Sequence, residues 1–247
     1  MDCLLYDELA PWYRMLDPVE DHAEEAGIFR TALAEAIIGQ PDGASPTLLE
    51  LGTGAGHNAF PLRDHFDCML SDLSEPMLAL SRDLNPGCDH MLGDMRTLRV
   101  GRSFDAVLVH DAICHMTTEA DLGCVMRTAF EHLRPGGAAV FALDHFSESF
   151  AEATDVYERE DGDRAMRCLE WMWDPDPSDS THSTEYAFLL REGDQLRAVH
   201  DRHVEGLFAG ATWAALLEGA GFRVSLIERP VGGGESDKIF LCSRPVA

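Results

Sequence analysis

The stretch Leu48-Leu49-Glu50-Leu51-Gly52-Thr53-Gly54-Ala55-Gly56-His57 decides how the rest of the chain is read. A short apolar run, the length of a buried strand, ends in a glycine-rich turn that opens a helical pattern over 57–65. Gly52 and Gly54 allow the tight turn and let a ligand approach the backbone with no Cβ in the way. A dinucleotide fingerprint would set its third glycine at position 57, which is His57 here, and Glu50 would repel a pyrophosphate. A ligand carrying an ammonium and a sulfonium would instead be drawn to Glu50. The helix N-terminus beyond the glycines suits that ligand's carboxylate.

Outward from this turn, apolar runs at 47–51, 67–71, 104–109 and 138–143, with a weaker one near 88–92, alternate with helical patterns at 57–65, 74–84 and 118–132. Strand–helix alternation implies right-handed crossovers and a mostly parallel sheet with helices on both faces. Ahead of it lie an aromatic opening (Tyr6, Trp12, Tyr13), a helical pattern over 20–38 and a loop at 41–46. The rhythm breaks after His145. Three extended stretches, 165–173, 182–191 and 196–206, are separated by turns at 174–179 and 192–194 and read as an inserted antiparallel meander. A helix at 211–219, a strand at 222–228, a Gly232-Gly233-Gly234 loop and a strand at 238–243 then close the sheet with an antiparallel last strand. The expected division is 1–45 as an N-terminal helical lid, 46–145 as the cofactor core, 146–210 as the inserted platform and 211–247 as the completion of the core sheet.

Lys+Arg number 19 against 44 Asp+Glu, a formal charge of −25 that argues against nucleic acid and anionic membrane as partners. The seven scattered cysteines form no C-x-x-C pair, which points to reduced thiols and a cytoplasmic setting rather than a disulfide scaffold or structural zinc. No signal-peptide pattern and no apolar run of membrane-spanning length is visible. His145, His182, His200 and His203 form no compact ligand cluster in the sequence, so no metal is expected.

Acids recur at the strand ends. Asp72 ends the second strand, 20 residues after Gly52, where a carboxylate accepts ribose hydroxyls. Asp94-Met95-Arg96 follows the third strand, where an acid accepts from an adenine amino group while Met95 packs on the ring. Across roughly 47–145 the chain resembles the class I S-adenosylmethionine-dependent methyltransferases, through Glu50-x-Gly52-x-Gly54-x-Gly56, Asp72-Leu73-Ser74, Gly93-Asp94-Met95-Arg96, Phe104-Asp105-Ala106-Val107 and Leu133-Arg134-Pro135-Gly136-Gly137. The resemblance implies an α/β, Rossmann-like seven-stranded sheet with an antiparallel last strand. It also implies S-adenosylmethionine as cofactor, held by Tyr13, Glu50, Gly52, Thr53, Gly54, Asp72, Leu73, Asp94, Met95, Arg96 and His110. A narrower set, Tyr6-Asp7-x-x-Ala10-x-x-Tyr13, His115-Met116 and His203-x-Glu205-x-x-Phe208, is similar to bacterial amino-sugar N,N-dimethyltransferases. The segment from Phe104 to His115 differs in length from that group's pattern, which leaves the roles of His110 and Asp111 open.

Methyl transfer from a sulfonium is an in-line displacement in which positioning does most of the work. His115, just past the fourth strand, is the expected proton acceptor or orienting group; His110 shapes the cofactor pocket and Asp111 orients a histidine or caps a helix. For the acceptor, the candidates are Tyr6, Trp12, His145, Trp171, Trp173, Tyr186, His200 and Arg202, with His200 and Arg202 on one strand face and Asp201 and His203 on the other. The acceptor is expected to be a small metabolite methylated on nitrogen or oxygen, and the platform either covers it or contacts a second copy. A module that binds the same cofactor without catalysis carries the same core motifs, and a nicotinamide-dependent oxidoreductase is the more distant alternative.

Overall fold

The computed structural model describes residues 3–39, 43, 45–231 and 235–246. Two helices, α1 (Ala10–Leu16) and α2 (Ala23–Ala36), precede the alternating core. That core runs β1 (Thr47–Leu51), α3 (Ala59–Leu62), β2 (Asp67–Asp72), α4 (Glu75–Leu84), β3 (Asp89–Leu92), β4 (Phe104–His110), α5 (Glu119–His132) and β5 (Leu133–Ala142). Four strands follow: β6 (Ala153–Asp161), β7 (Arg164–Trp173), β8 (Thr181–Glu192) and β9 (Gln195–Gly206). The chain closes with α6 (Gly210–Ala220), β10 (Arg223–Val231) and β11 (Glu235–Ser243).

The strands form a seven-stranded sheet ordered β10-β11-β5-β4-β1-β2-β3 and a separate four-stranded antiparallel sheet ordered β6-β7-β8-β9. Within the larger sheet β1, β2, β3, β4 and β5 pair in parallel, and β11 runs antiparallel to both β5 and β10. Alternation along each buried strand supplies both cores. Leu49, Leu51, Val107, Val109 and Phe141 pack against Leu122, Val125 and Met126 of α5 and Trp213 and Leu217 of α6. Leu48, Leu70, Leu108 and Val140 turn the other way onto Phe29 and Leu33 of α2 and Leu62 of α3. A strand covered on both faces has no polar side to show, which is why these runs read as continuously apolar.

Helix starts follow local chemistry. The Ser74 hydroxyl accepts from the Met77 N–H (3.1 Å) at the start of α4, and the Thr118 hydroxyl accepts from the Asp121 N–H (3.1 Å) at the start of α5. The pattern over 20–38 splits into a short 3-10 turn, Val19–His22, and α2. The helix expected over 57–65 shrinks to the single turn of α3, because β2 must begin at Asp67 to pair with Thr47. No helix N-terminus long enough to anchor a carboxylate therefore stands behind the glycine turn. The inserted sheet has four strands rather than three. The sequence Ala153–Asp161 shows no alternation because β6 is an edge strand, exposed along nearly its whole length. The Gly232-Gly233-Gly234 loop lies outside the described residues.

The inner face of the four-stranded sheet, with Met166, Cys168, Phe188 and Leu190, packs on Leu5, Leu9 and Trp12. The N-terminal segment is further fixed by the Leu5 N–H donating to Asp201 Oδ2 (2.8 Å) and by Arg164, whose guanidinium lies 3.9 Å over the Trp12 ring. No helix among the described residues is long and apolar enough to cross a membrane.

Candidate active site

The glycine turn between β1 and α3 sits at the carboxyl edge of the sheet, on a cavity of about 580 Å³. The N–H groups of Gly52 and Thr53 both donate to Ser71 O (2.8 and 2.9 Å), which folds the turn back over β2. Gly52, with φ 76°, is obligatory on two counts: the backbone angle is left-handed, and a Cβ there would stand 2.4 Å from Ala112 Cβ and 2.7 Å from Met95 Cε. Gly54 also has a positive φ (55°), yet a Cβ would meet only Met77 Cε at 3.6 Å, so its tightness is conformational and not steric.

All eleven residues expected to hold the cofactor line this cavity, as do Tyr6, Asp111 and His115. Glu50 is 3% exposed and accepts from the Thr53 hydroxyl (3.0 Å); burial raises its carboxyl to about 7, against the opposing pull of that hydrogen bond. Asp72 accepts from the N–H groups of Gly54 and Ser74 (2.8 Å each), and burial again raises its pKa. Asp94 is gripped by Arg96, whose side chain reaches both carboxylate oxygens at 2.6–3.0 Å and also meets Asp121 at 3.2 Å; that hydrogen bonding holds the Asp94 carboxyl below its ordinary value.

The N-terminal segment completes the wall with residues that sequence reasoning missed. Asp17 bridges two imidazoles, with Oδ1 2.8 Å from His22 Nε2 and Oδ2 3.2 Å from His57 Nδ1. Glu25 lies 3.1 Å from His110 Nε2 and 2.6 Å from Arg229. Burial alone would lower both His22 and His110. Hydrogen bonds that His22 donates to Asp17 and Glu25 instead raise it to about 10, and the charges of Asp111 and Glu25 raise His110 to about 9. Asp17, His22 and His57 bring three ligand-type atoms within 4.8 Å, a grouping invisible in the sequence because the residues are spread over 40 positions. Hydrogen bonding accounts for the contacts among them. Asp111 itself has φ 45°, unusual for a residue with a side chain, where the chain leaves β4.

On the side away from the sheet, His115 contacts the rings of Tyr6 (5.5 Å) and His203 (5.6 Å), and burial lowers its pKa to about 4. Its neighbour Cys114 donates to Glu205 (3.3 Å) rather than filling an apolar niche, and opens on a second cavity of about 290 Å³ between the core and the four-stranded sheet. His145 and Tyr186 line that second cavity. Trp12, Trp171, Trp173, His200 and Arg202 line neither. Trp12 is core against the platform, and Trp171 and Trp173 stack on each other at 5.3 Å. His200 and Arg202 do share a face, as expected, but it is the outer one, where both meet Glu185; the buried face carries Asp201 and His203, 3.1 Å apart. Alternation fixes which residues share a face without revealing which face the protein covers.

The site tests well for a cofactor of the expected kind. Its volume falls in the ~300–1,000 Å³ range of small-molecule sites, and its wall carries buried polar atoms with no partner, His57 Nε2 and Asn58 Oδ1. Glu50 lies one residue before the end of β1, Asp72 ends β2 and Asp94 follows β3 by two residues, all at the edge where such sheets take ligands. Fold and site define a cofactor-dependent transferase of the open α/β-sheet type. Residues 48–137 match the family model described as a methyltransferase domain. The chain is 30% identical over 224 residues, covering 89% of each chain, to the Streptomyces venezuelae dTDP-3-amino-3,4,6-trideoxy-alpha-D-glucopyranose N,N-dimethyltransferase. Its fold is similar to the crystal structure of Streptomyces venezuelae DesVI (TM-score 0.77, 26% identity, 97% of each chain). The sugar N-methyltransferase KedS8 from a Streptoalloteichus species superposes with a TM-score of 0.80 at 23% identity, over 96% of this chain and 92% of that one. The chain belongs to the class I S-adenosylmethionine-dependent methyltransferases of the amino-sugar type, and it is an enzyme that transfers a methyl group from that cofactor to a small molecule.

Proposed function

We propose that the acceptor atom is the amine nitrogen of an amino sugar and that the two cavities divide the work between cofactor and acceptor. The observation that carries the reading is the junction at Cys114-His115: His115 belongs to the wall of the larger cavity and Cys114 to that of the smaller, with Glu205 within 4.8 Å of both. A methyl group presented at that junction is within reach of a nitrogen entering from the platform side. The activities by which relatives of this chain are named, N,N-dimethylation of dTDP-linked amino sugars, support nitrogen over oxygen.

When bound, S-adenosylmethionine supplies an activated methyl on a sulfonium. In the larger cavity Glu50 and Asp72 would hold its ammonium and ribose ends, and Gly54 would leave room for it at the backbone. Asp94 would offer the lone pairs that Arg96 leaves open to an adenine amino group, and Met95 would supply apolar contact for the ring. Tyr13, Thr53, Leu73 and His110 complete the enclosure. The acceptor nitrogen attacks with its lone pair: the N–C bond forms as the C–S bond breaks, and the positive charge passes to the product ammonium, which then loses a proton. His115 is neutral at pH 7 and too weakly basic to draw that proton from an ammonium, so with Tyr6 it orients the nitrogen.

Residues 1–45 act as a lid held shut by Asp17 and Glu25, 46–145 and 211–247 form the core, and 146–210 cover the acceptor. The −25 charge supports small molecules over nucleic acid, and free cysteines support a cytoplasmic setting. The exposed Leu169, Leu189, Leu196 and Val204 on the platform's outer face support pairing with a second copy. The test is mass spectrometry of reactions containing cofactor and an amino sugar: mono- and dimethylated amine is expected. Methyl appearing only on a hydroxyl, or none on any sugar with tight cofactor binding, refutes the reading.

A further inference from the structure

Cys68 on β2 and Cys88 in the turn before β3 stand side by side, a pairing that their separation in sequence conceals. The parallel ladder matches Met69 with Asp89 and Leu70 with His90, so one step back along the same register Cys68 faces Cys88. Neighbouring strands lie about 4.7–4.9 Å apart, inside the ~4.4–6.8 Å separation of Cα atoms that a disulfide spans. Both thiols are free, and both side chains sit on the α2–α3 face of the sheet, Cys68 within the core cluster and Cys88 packed at its margin. Cys68 is 3% exposed and Cys88 is half-buried, so a small polar oxidant reaches Cys88 first. The Cys68 S–H lies between Phe66 O, at 3.5 Å, and the Cys88 sulfur. Its hydrogen bond to that sulfur, with the charge of Arg63, holds the Cys88 thiol below its ordinary value against the effect of burial. Hydrogen bonds also connect residue 88 to the glycine turn. Its N–H donates to Asn85 O (3.1 Å), and the Asn85 amide donates to Gly56 O (2.9 Å). Its carbonyl accepts from His90 Nδ1 (3.0 Å), whose Nε2 accepts from the Ser81 hydroxyl (3.0 Å). Asn85 and Ser81 are fully buried and close on Gly56 so tightly that a Cβ there would strike both side chains. Gly56 in turn stands between Ala55 and His57, which line the cofactor cavity.

We propose that Cys68 and Cys88 are a reversible redox pair, closed to a disulfide by a hydroperoxide, and that closure loosens the cofactor-binding turn through Asn85 and His90. The Cys88 thiolate is the nucleophile. Its sulfur attacks one oxygen of hydrogen peroxide, the O–O bond breaks, and the departing hydroxide takes a proton from solvent, leaving a sulfenic acid on Cys88 and one water. The Cys68 sulfur then attacks the Cys88 sulfur, the S–O bond breaks, and the hydroxide leaves with the Cys68 proton as a second water. Two thiols have lost two electrons and two protons, and the peroxide has been reduced to water. The Cβ atoms of a disulfide stand about 3.5–4.5 Å apart, closer than the strand spacing, so the bond draws the two residues together. Cys68 is fixed in the ladder opposite Leu48, whereas Cys88 precedes the first residue of β3, so the turn is the side that moves. Asn85 and His90 are bonded to the backbone of residue 88 and shift with it, and the Gly56 carbonyl loses its fixed partner. A disulfide of this kind in a reducing compartment is transient and responds to oxidant.

The test treats the intact chain with a slight excess of hydrogen peroxide and reads it by mass spectrometry and by calorimetric titration with S-adenosylmethionine. A mass loss of about 2 Da, a cross-link joining the peptides of Cys68 and Cys88, and recovery with dithiothreitol are expected. Cofactor Kd should weaken about fivefold or more on closure, the scale of coupling between linked sites, and return on reduction. Cys88→Ser should show neither the mass loss nor the weaker Kd after the same treatment, which separates closure from oxidation of methionines. Cys68→Ala strands the intermediate, so Cys88 should proceed to sulfinic acid with a gain of about 32 Da. Circular dichroism confirms that both variants fold, and Cys88→Ser carries the control if Cys68→Ala does not. A wild-type chain that gains sulfinic acid on Cys88 without a cross-link overturns the redox pair. A cross-linked chain with unchanged Kd overturns its connection to the glycine turn. Either result leaves methylation of an amino sugar standing, because neither measurement involves the acceptor.

Discussion

The carboxylate of Glu25 on α2 lies 3.1 Å from Nε2 of His110 at the end of β4, tying the N-terminal segment to the strand that carries the reacting edge of the site. The same carboxylate reaches Arg229 at 2.6 Å, so one side chain joins α2, β4 and β10. Pairing raises His110 to about 9 from its ordinary 6.5, and pulls Glu25 below its ordinary 4.5. A raised histidine contributes its stabilisation fully below 6.5 and loses it as the pH climbs through about 9. A depressed carboxylate contributes above 4.5 and loses it as the pH falls below. The pair is therefore strongest between pH 4.5 and 6.5. Glu25→Gln should cost about 2 kcal/mol at pH 6 and clearly less at pH 9.5, measured by melting across that range. An equal loss at both ends would remove the titrating pair from the account.

Gly52→Ala and Gly54→Ala separate steric from conformational need. Both place a side chain at positive φ, which costs about 1–2 kcal/mol. Only the first also drives a methyl into Ala112 and Met95. Gly52→Ala is expected to lower Tm markedly more than Gly54→Ala, whereas Gly54→Val should keep most of the fold and lose cofactor binding by filling the cavity. Calorimetric titration with circular dichroism checks both, and equal melting points for the two alanine variants would contradict the packing described.

Asp72→Asn keeps an acceptor for only one of the Gly54 and Ser74 N–H groups, which bond different carboxylate oxygens, and removes the charge offered to the ribose. Cofactor Kd should weaken about 10- to 100-fold, as for losing a hydrogen bond to a charged group worth ~1.5–3 kcal/mol. An unchanged Kd in the folded variant would take Asp72 out of the cofactor site.

For His115, already neutral above about pH 4, the prediction is a modest loss. His115→Ala should lower kcat about tenfold, in line with a positioning role. An obligatory base would cost ~10²–10⁴. The kcat–pH profile between 6 and 9 should keep its shape in the variant, because the ionisation seen there belongs to the acceptor amine. A profile that loses an inflection along with the imidazole would reverse the assignment.

The order of strands and helices in the core, the glycine turn with its flanking acids, and the gathering of those acids at one sheet edge were all determined by the sequence itself. Each depends on contacts short in sequence or on the period of buried apolar residues: Leu48–Leu51 and Phe104–Val109 are apolar throughout because helices cover both their faces. Three things were decided only by tertiary structure. Asp17, His22 and Glu25 reach His57 and His110 across tens of residues, and no local pattern marks a partner so distant. In β9 alternation predicts that His200 pairs in facing with Arg202, but burial of His203 and Asp201 depends on the N-terminal segment docking there, so the inward face had to be found from packing. The same holds for β6, whose exposed edge position erases the alternation by which strands are recognised, and for the smaller cavity, assembled from Cys114, the segment 143–145, β6, β7, β8, β9 and α6, whose carboxylates and unpaired Trp213 N–H converge only once the two sheets pack together.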